Sequence, residues 1–522
     1  INKTKTVDCL CCQICFFYFF FELRTDSNFL QSSSNYYIAS YFLNKMTAVL
    51  GAGMSGLSAA YYLLQKFGYP ATVYEASHRV GGWIRTERHK DKGFIFEMGP
   101  RTIRPKGIQG ANTLQLIEEL KLPVDPIKSW QPAAKNRLIY AKGQLCMLPN
   151  SLSGIFKTLP PFSKPLISQI KQDLIAGQKK LKLADESIYD FVERRFGAEL
   201  ANYAISPLIC GICAGDAKEI SVRFLMNDLF EKEQKWGGII KGVVYEKLFG
   251  NNNKAAPAGL FGDAMPKLYE RSQKEKWSMY RVPDGLDTLP QTLRNYLQEK
   301  DVDIQLTSEC REIIFTRDGV RMTVKGQEVE PNHIISSIPT HKLATCVKNQ
   351  HPSLSALLMA IEYVDVAVVN LQYNIKDLLK MKAFGFLVPP IERIPILGVI
   401  FDSCCFDMEG NTILTVMMGG RWFEQNFGKD PTPKKLLDTA LQYLDVVMGI
   451  AEEPRLTRVH VLRKCIPQYT VGHTQRVSDI RRYIKHYKLP LTLCGAAYDG
   501  VGINDVILSA RTQVESLRPF DD

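Results

Sequence analysis

An α/β fold is predicted, with one ligand-binding domain assembled from both ends of the chain, a mixed-sheet domain and a mainly helical segment. Three observations predict it. From Thr47 the chain reads strand, turn, helix, strand in "TAVLGAGMSGLSAAYYLLQKFGYPATVYEAS". More than 440 residues later, "CGAAYDGVGINDVILSA" (Cys494 to Ala510) repeats the pattern of a glycine-rich turn opening a helix. Between them, 132–250 reads as helices with turn-rich starts and 346–485 reads mostly as strands.

The chain has 522 residues, enough for two or three domains with sizeable cores. Its 45% hydrophobic and 23% charged content is that of a globular protein and excludes a disordered or fibrous chain. The net charge of +11 favours an anionic membrane surface, an anionic substrate or nucleic acid, without choosing among them. Residues 1–45 are expected to be an extension foreign to the fold, with translation starting at Met46. They hold four of the 13 cysteines and the run "ICFFYFFF". That run is shorter than the roughly 20 apolar residues of a bilayer span. It also reads as a signal-peptide core or, less well, as half of a zinc site whose second ligand pair is missing.

In the first unit, Gly51, Gly53 and Gly56 form GxGxxG. The first allows the tight turn, the second a close approach of backbone to a pyrophosphate, and the third close helix–strand packing. A helix is predicted over about 55–66, ended by Gly68. Glu75 closes the second strand, 24 residues beyond Gly51, where a carboxylate accepts hydrogen bonds from ribose hydroxyls. A dinucleotide is implied; NAD and FAD both remain open at this point.

The next segment separates them. "RVGGWIRT" places Arg79, Gly81, Gly82 and Thr86 just after Glu75. It resembles the RxGGxxx(S/T) signature of the FAD-dependent amine-oxidase-like flavoproteins. In that family a second loop supports the pyrophosphate and ribityl region, and Arg79 would act as counter-ion. The resemblance also explains the distant second loop. In this fold a C-terminal segment returns to the first domain and aims a helix N-terminus at the isoalloxazine ring, where its dipole favours the anionic reduced flavin. The resemblance implies one non-covalent FAD. It extends the cofactor set beyond Gly51, Gly53, Gly56, Glu75 and Arg79 to Ala52, Met54, Ser55, Ala76, Gly82, Trp83, Gly99, Pro100, Arg101, Thr102, Cys310, Ala496, Val501, Gly502 and Ile503.

Further segments narrow the likeness to the branch of this family that oxidises protoporphyrinogen IX in animal mitochondria. They are "FEMGPRTIRP" from Phe96, "QPAAKNRLIY" from Gln131, "PPFSKPL" from Pro160, "VAVVNLQY" from Val366, "FGFLVP" from Phe384, "TVMMGGRW" from Thr415 and "KCIPQYTVGH" from Lys464. With the flavin loops they cover essentially all of 46–522. The resemblance implies a six-electron oxidation of protoporphyrinogen IX to protoporphyrin IX. Molecular oxygen is the acceptor, and three hydrogen peroxide form. It also implies attachment to one face of the mitochondrial inner membrane on the intermembrane-space side, a homodimer, and hand-over of product to ferrochelatase. No nucleic acid and no metal are expected. Arg137 matches the family's propionate-binding arginine, and Arg101 lies near where flavin and substrate meet. Phe384, Leu387, Met417 and Ile466 match residues that sandwich the macrocycle, and Gly385 a backbone contact to a pyrrole N–H. One position departs: Cys210 stands where the family has an arginine. No side chain is expected to serve as catalytic base, because removal of hydride to a flavin needs positioning more than proton transfer.

The organisation expected is therefore discontinuous. The FAD domain takes 46–131, a part of 251–345 after a connecting loop at "FGNNNKAAPAGLFG", and 486–522. The helical, membrane-binding segment takes 132–250, where "SKPLISQIKQDLIAGQKKLKL" mixes apolar and basic residues at near-helical spacing. The substrate domain takes 346–485. Two other readings stay in play. Another flavin amine oxidase would want an aromatic cage and often a covalent flavin cysteine, and no such cysteine context surrounds Tyr498. A Rab-escort-type relative would keep the GxGxxG fold without using flavin. Cys210 and Cys213 form the one CxxC pair after Met46, expected as two buried thiols.

Overall fold

The computed structural model describes 47–517, except 69, 90, 92, 176–183, 250–259, 262–263, 318, 407 and 409. The expectations for 1–45, for the loop at 249–262 and for the end of the lysine-rich stretch lie wholly or largely outside these residues.

Thr47–Leu50, fully buried, forms the middle of a five-stranded parallel sheet. The order is Leu491–Leu493, His333–Ser336, Thr47–Leu50, Thr72–Tyr74, Asp303–Gln305. Strands from the start, middle and end of the chain thus share one sheet. A parallel neighbour needs a crossover, and helix Met54–Phe67 supplies the first. It stops at Gly68, which takes the left-handed φ of 73° that a side chain would resist. The C-terminal helix Ile503–Ser516 packs on it, so the last segment closes the same layer.

The second sheet has seven strands. Its order is Leu456–Pro467, Tyr363–Tyr373, Thr412–Gly420, Ile396–Phe401, Gly385–Leu387, Leu138–Ala141, Gln144–Met147. All pairs are antiparallel except Gly385–Leu387 with Leu138–Ala141. Here the structure differs from the expected helical segment: its first part is a hairpin in the large sheet. Lys142 and Gly143 turn that hairpin with φ of 54° and 77°, the two positive values a tight two-residue turn requires.

The described remainder of 132–250 is mainly helical, with Leu166–Ile175, Ile188–Phe196, Ser206–Cys213, Asn227–Trp236 and Ile239–Phe249. Its centre is unusual in being ionic: the fully buried Arg195 pairs with Glu233 and Asp173, and Arg194 pairs with Glu186 and Glu233. Removing one member would strand a buried charge, a loss of about 3–5 kcal/mol. Cys210 and Cys213 are buried free thiols in this segment. No helix among the described residues is long and apolar enough to cross a membrane.

Candidate active site

The two glycine loops meet at the C-terminal edge of the parallel sheet. A Cβ on Gly56 would lie 1.8 Å from the Gly51 carbonyl oxygen, so only glycine lets the helix sit on the turn. Gly53 and Gly82 face one another across a gap with no side chain on either wall. A Cβ on Gly53 would stand 3.8 Å from the Gly82 Cα, and one on Gly82 3.3 Å from the Gly53 Cα. The two glycine loops thus bring their backbones close together with no side chain between them. The Glu75 carboxylate accepts from the backbone N–H of Ala52 (2.7 Å) and of Ser77 (2.8 Å), which fixes it at the mouth of the turn beside Ala76. Met54 and Ser55 start the helix, and the Ser55 hydroxyl contacts the Cys494 thiol at 3.3 Å. The cradle fits the dinucleotide that the glycine spacing implies.

Arg79 does something other than stand free as counter-ion. Its guanidinium donates to the carbonyls of Val80, Gly82 and Ile84 and so braces the second loop. Burial lowers its pKa from the ordinary value. The loop's Trp83 keeps its side chain 41% exposed. A Cβ on Gly99 would stand 2.4 Å from the Trp83 carbonyl oxygen, so Trp83 and Gly99–Thr102 make one continuous wall.

The return segment joins this wall. Tyr469 stacks on His473 (ring centroids 3.8 Å apart) and donates its hydroxyl hydrogen to the Ala496 carbonyl (2.7 Å). The same hydroxyl accepts from the Gly500 N–H (2.7 Å). Val501 leads to Gly502, the N-cap of the last helix, whose N–H reaches Asp505 at 3.1 Å. Ile503 opens the helix, and Asn504 donates to the Arg104 carbonyl at 2.9 Å. The start of the helix, expected near Val501, is thus pinned to the loop that carries Arg101. Cys310 lies at the opposite end of the groove: Gln305, Thr307 and Ser308 run alongside Glu75 and Ser77 through backbone hydrogen bonds, and Cys310 follows them.

The arginines separate. Arg101 is buried and its Nη1 lies 2.7 Å from Asp402 Oδ1. Asp402 Oδ2 accepts from Thr415 (2.7 Å), Thr415 accepts from Asn370 (2.9 Å), and Asn370 also donates to the Glu97 carbonyl (3.0 Å). Arg101 is therefore committed to a buried network. Arg137 is half-buried, stacks over Phe384 at 5.1 Å and donates to the Ala133 carbonyl at 3.1 Å. No carboxylate among the described residues pairs with it. Burial, then the charge of Arg104, lowers its pKa. A cation in this position gains from an incoming carboxylate.

The apolar residues form a row. Leu387, Gly398, Met417 and Val368 face one another in register across four strands. Met417 is the one residue of its strand that is not buried. Gly398 leaves a dip between Leu387 and Met417. Ile466 and Met417 both pack against the apolar cluster that holds Cys210, and a Cβ on Gly211 would stand 2.9 Å from Leu387, so helix Ser206–Cys213 lies over the row. Cys210 contributes apolar wall there, with its thiol 3.5 Å from the Gly215 carbonyl. Gly385 carries a φ of 144°, and a Cβ on it would strike the Val399 carbonyl oxygen at 2.1 Å. Phe384, Gly385 and Leu387 thus run from the arginine to the row.

Sequence reasoning missed Asp402, Thr415, Asn370, Glu97, Tyr469 and His473. The signal was present for some of them: Asn370, Thr415 and Glu97 are polar interruptions in otherwise apolar strands. No group of metal-ligating side chains occurs among the described residues.

These features agree with what the chain is similar to. The model of the flavin containing amine oxidoreductases matches 54–517, and the chain belongs to that family. It is 37% identical over 479 residues to protoporphyrinogen oxidase of Bos taurus, covering 90% of this chain and 97% of that one. It is 36% identical over 485 residues to protoporphyrinogen oxidase of Homo sapiens, covering 91% and 98%. Within the family it therefore stands among the protoporphyrinogen oxidases. A bacterial structure from Exiguobacterium sp. 255-15, described provisionally as a protoporphyrinogen oxidase, matches with a TM-score of 0.72. At 21% identity over 91% of this chain and 98% of that one, it shows a shared fold. The cofactor is FAD.

Proposed function

We propose that this chain oxidises protoporphyrinogen IX to protoporphyrin IX. The observation that carries the reading is the pairing of Arg137, stacked on Phe384 with no carboxylate partner among the described residues, with an apolar row across the large sheet. A macrocycle with two propionates needs both a cationic anchor and a greasy slot. Arg137 would hold a propionate, and Phe384, Leu387, Met417 and Ile466 the rings. Gly385 would leave backbone within reach of a pyrrole N–H. Loops 51–56 and 79–86 and the return segment 496–503 would hold FAD, with Glu75 at the ribose. FAD supplies two-electron oxidation with return of the electrons to oxygen, so six electrons consume three O2 and give three H2O2. The chain's part is positioning: it orients one methylene carbon, excludes water with helix Ser206–Cys213, and needs no side-chain base.

Division of labour among the parts belongs to the same proposal. FAD is assigned to 46–131, the later part of 251–345 and 486–522, and substrate to 346–485 with the hairpin 138–147. The helical segment is assigned to a membrane surface on the intermembrane-space side of the mitochondrial inner membrane. Support comes from the exposed Phe156, Leu174, Val243, Val244 and Leu248, interleaved with Lys157, Lys171, Lys241 and Lys247. A homodimer and hand-over of the product to ferrochelatase complete the reading. The test is anaerobic mixing of the yellow enzyme with protoporphyrinogen IX, followed by air. Flavin bleaching and then porphyrin fluorescence are expected; a flavin that stays oxidised refutes the assignment.

A further inference from the structure

Strand Cys310–Phe315 and helix Thr340–Val347 pack together, and each carries a cysteine at the contact. The Cys346 Sγ lies 3.2 Å from the Cys310 carbonyl oxygen, so its thiol sits against the residue that carries the other, whose own Sγ lies 3.6 Å from the Glu312 carbonyl oxygen. Cys310 is partly exposed and Cys346 is buried. Cys346 differs from the other described thiols, Cys310 among them, whose pKa is raised first by its contact with Cys346 and then by burial. Cys210, Cys213, Cys465 and Cys494 are buried, with pKa raised by desolvation. The Cys346 thiol is instead lowered, first by the hydrogen bond from Cys310, against its own burial and with Lys342 assisting. A thiol inclined to ionise beside a second thiol is the arrangement of an oxidisable pair. Its place matters too. Ser308, two residues before Cys310, donates its backbone N–H to the carbonyl of Glu75, at the ribose end of the cofactor groove.

We propose that Cys310 and Cys346 are a peroxide-oxidisable dithiol, whose disulfide pins this strand to the helix beside the cofactor groove. The Cys346 thiolate attacks one peroxide oxygen and the O–O bond breaks. Cys346 becomes a sulfenic acid and hydroxide leaves, taking a proton to become water. The Cys310 sulfur then attacks the Cys346 sulfur, the S–O bond breaks and a second water departs with the Cys310 proton. Two thiols lose two protons and two electrons; one H2O2 becomes two H2O. The oxidase reaction proposed above rests in this scheme only as the source of peroxide, and it would make the pair a sensor of the enzyme's own product.

The holoenzyme is treated with excess H2O2, blocked with an alkylating agent, digested without reductant and weighed by mass spectrometry. A Cys310–Cys346 linked peptide pair, lighter by two hydrogens and split by dithiothreitol, is expected, with near-complete loss of alkylation at both sites. Cys346→Ser and Cys346→Ala should each restore full alkylation of Cys310. Two alkylated thiols in the treated wild type would overturn the proposal, as would a link through Cys404 or Cys405 instead. A second arm oxidises protoporphyrinogen IX in air with and without catalase. The link should form without catalase and vanish with it; an equal yield in both overturns the peroxide step. If no porphyrin forms but added peroxide still makes the link, the oxidase reading fails and the dithiol stands.

Discussion

Replacing Arg137 by Ala tests the substrate anchor most directly. The guanidinium has three attachments in the proposed complex: the Ala133 carbonyl, the Phe384 ring and a propionate. The first two are present without substrate. The stack is worth about 0.5–1 kcal/mol at a half-exposed site. The carboxylate pair exists only when substrate is bound, and a charge-assisted hydrogen bond contributes roughly 1.5–3 kcal/mol. Loss of the pair should therefore weaken substrate binding by about ten- to a hundred-fold. The assay is steady-state oxidation of protoporphyrinogen IX and of its dimethyl ester, read by porphyrin fluorescence, with flavin content measured in parallel. The wild type should prefer the acid, and Arg137→Ala should lose most of that preference while keeping its flavin. Arg137→Lys keeps the charge but not the planar fork, and should recover only part of the loss. An equal loss on acid and ester would mean that Arg137 merely supports Phe384, and the anchor reading would be wrong. Unchanged kinetics would remove Arg137 from the site and move attention to Arg104, because Arg101 is already held by Asp402.

Three further outcomes are expected. Gly53→Val puts methyl groups onto the turn and against the backbone of Gly82, where a pyrophosphate would need to come close to the chain, so the purified protein should be colourless; full flavin occupancy would show that the phosphates run elsewhere. Membrane attachment should resist salt in part, and Val244→Asp with Leu248→Asp should release the protein into the soluble fraction; complete release of the wild type by 1 M salt, where screening acts within about 3 Å, would reduce the attachment to electrostatics. For pH, burial raises Glu97 from 4.5 to about 7, so the folded state holds its proton more tightly than the unfolded state does. That contribution is full below 4.5 and is lost as pH rises through 7. Burial lowers His333 and His473 from 6.5 to about 4, so their contributions are full above 6.5 and are lost as pH falls through 4. Thermal stability should peak near pH 6.5. Glu97→Gln should gain on the wild type at pH 8, by roughly 3 kcal/mol, and not at pH 4. A Glu97→Gln profile parallel to the wild type would exclude Glu97 as the titrating group.

What the sequence revealed and what it hid divide along a physical line. The flavin loops were legible because each glycine has a local steric reason. Gly56 touches the Gly51 carbonyl and Gly82 faces Gly53 within a short loop-to-loop reach. The hairpin Leu138–Ala141 and Gln144–Met147 was missed although Lys142–Gly143 is a hairpin signal. Its place in the large sheet depends on a parallel pairing of Phe386 with Leu138, across nearly 250 residues, that no local pattern announces. Arg101 and Arg137 looked alike in sequence for the same reason. Which of them is free depends on Asp402, 301 residues from Arg101. The polar residues on the far side were visible only as oddities: Glu97 after "FIF", Asn370 within "VAVVNLQY" and Thr415 within "TILTVMMGG". Three polar groups in three apolar strands are costly unless they bond to one another. Here Asn370 donates to Thr415 and to the Glu97 backbone carbonyl, and the Glu97 carboxylate is met by Thr86 and the Leu286 N–H, so a chain of bonds runs from the Thr86–Glu97 hairpin, through two central strands of the large sheet, to Asp402 and the Arg101 loop. That network binds the wall of the flavin cleft to the substrate sheet. The same network holds Arg101 in the architecture and leaves Arg137, in the proposed reading, to meet the substrate.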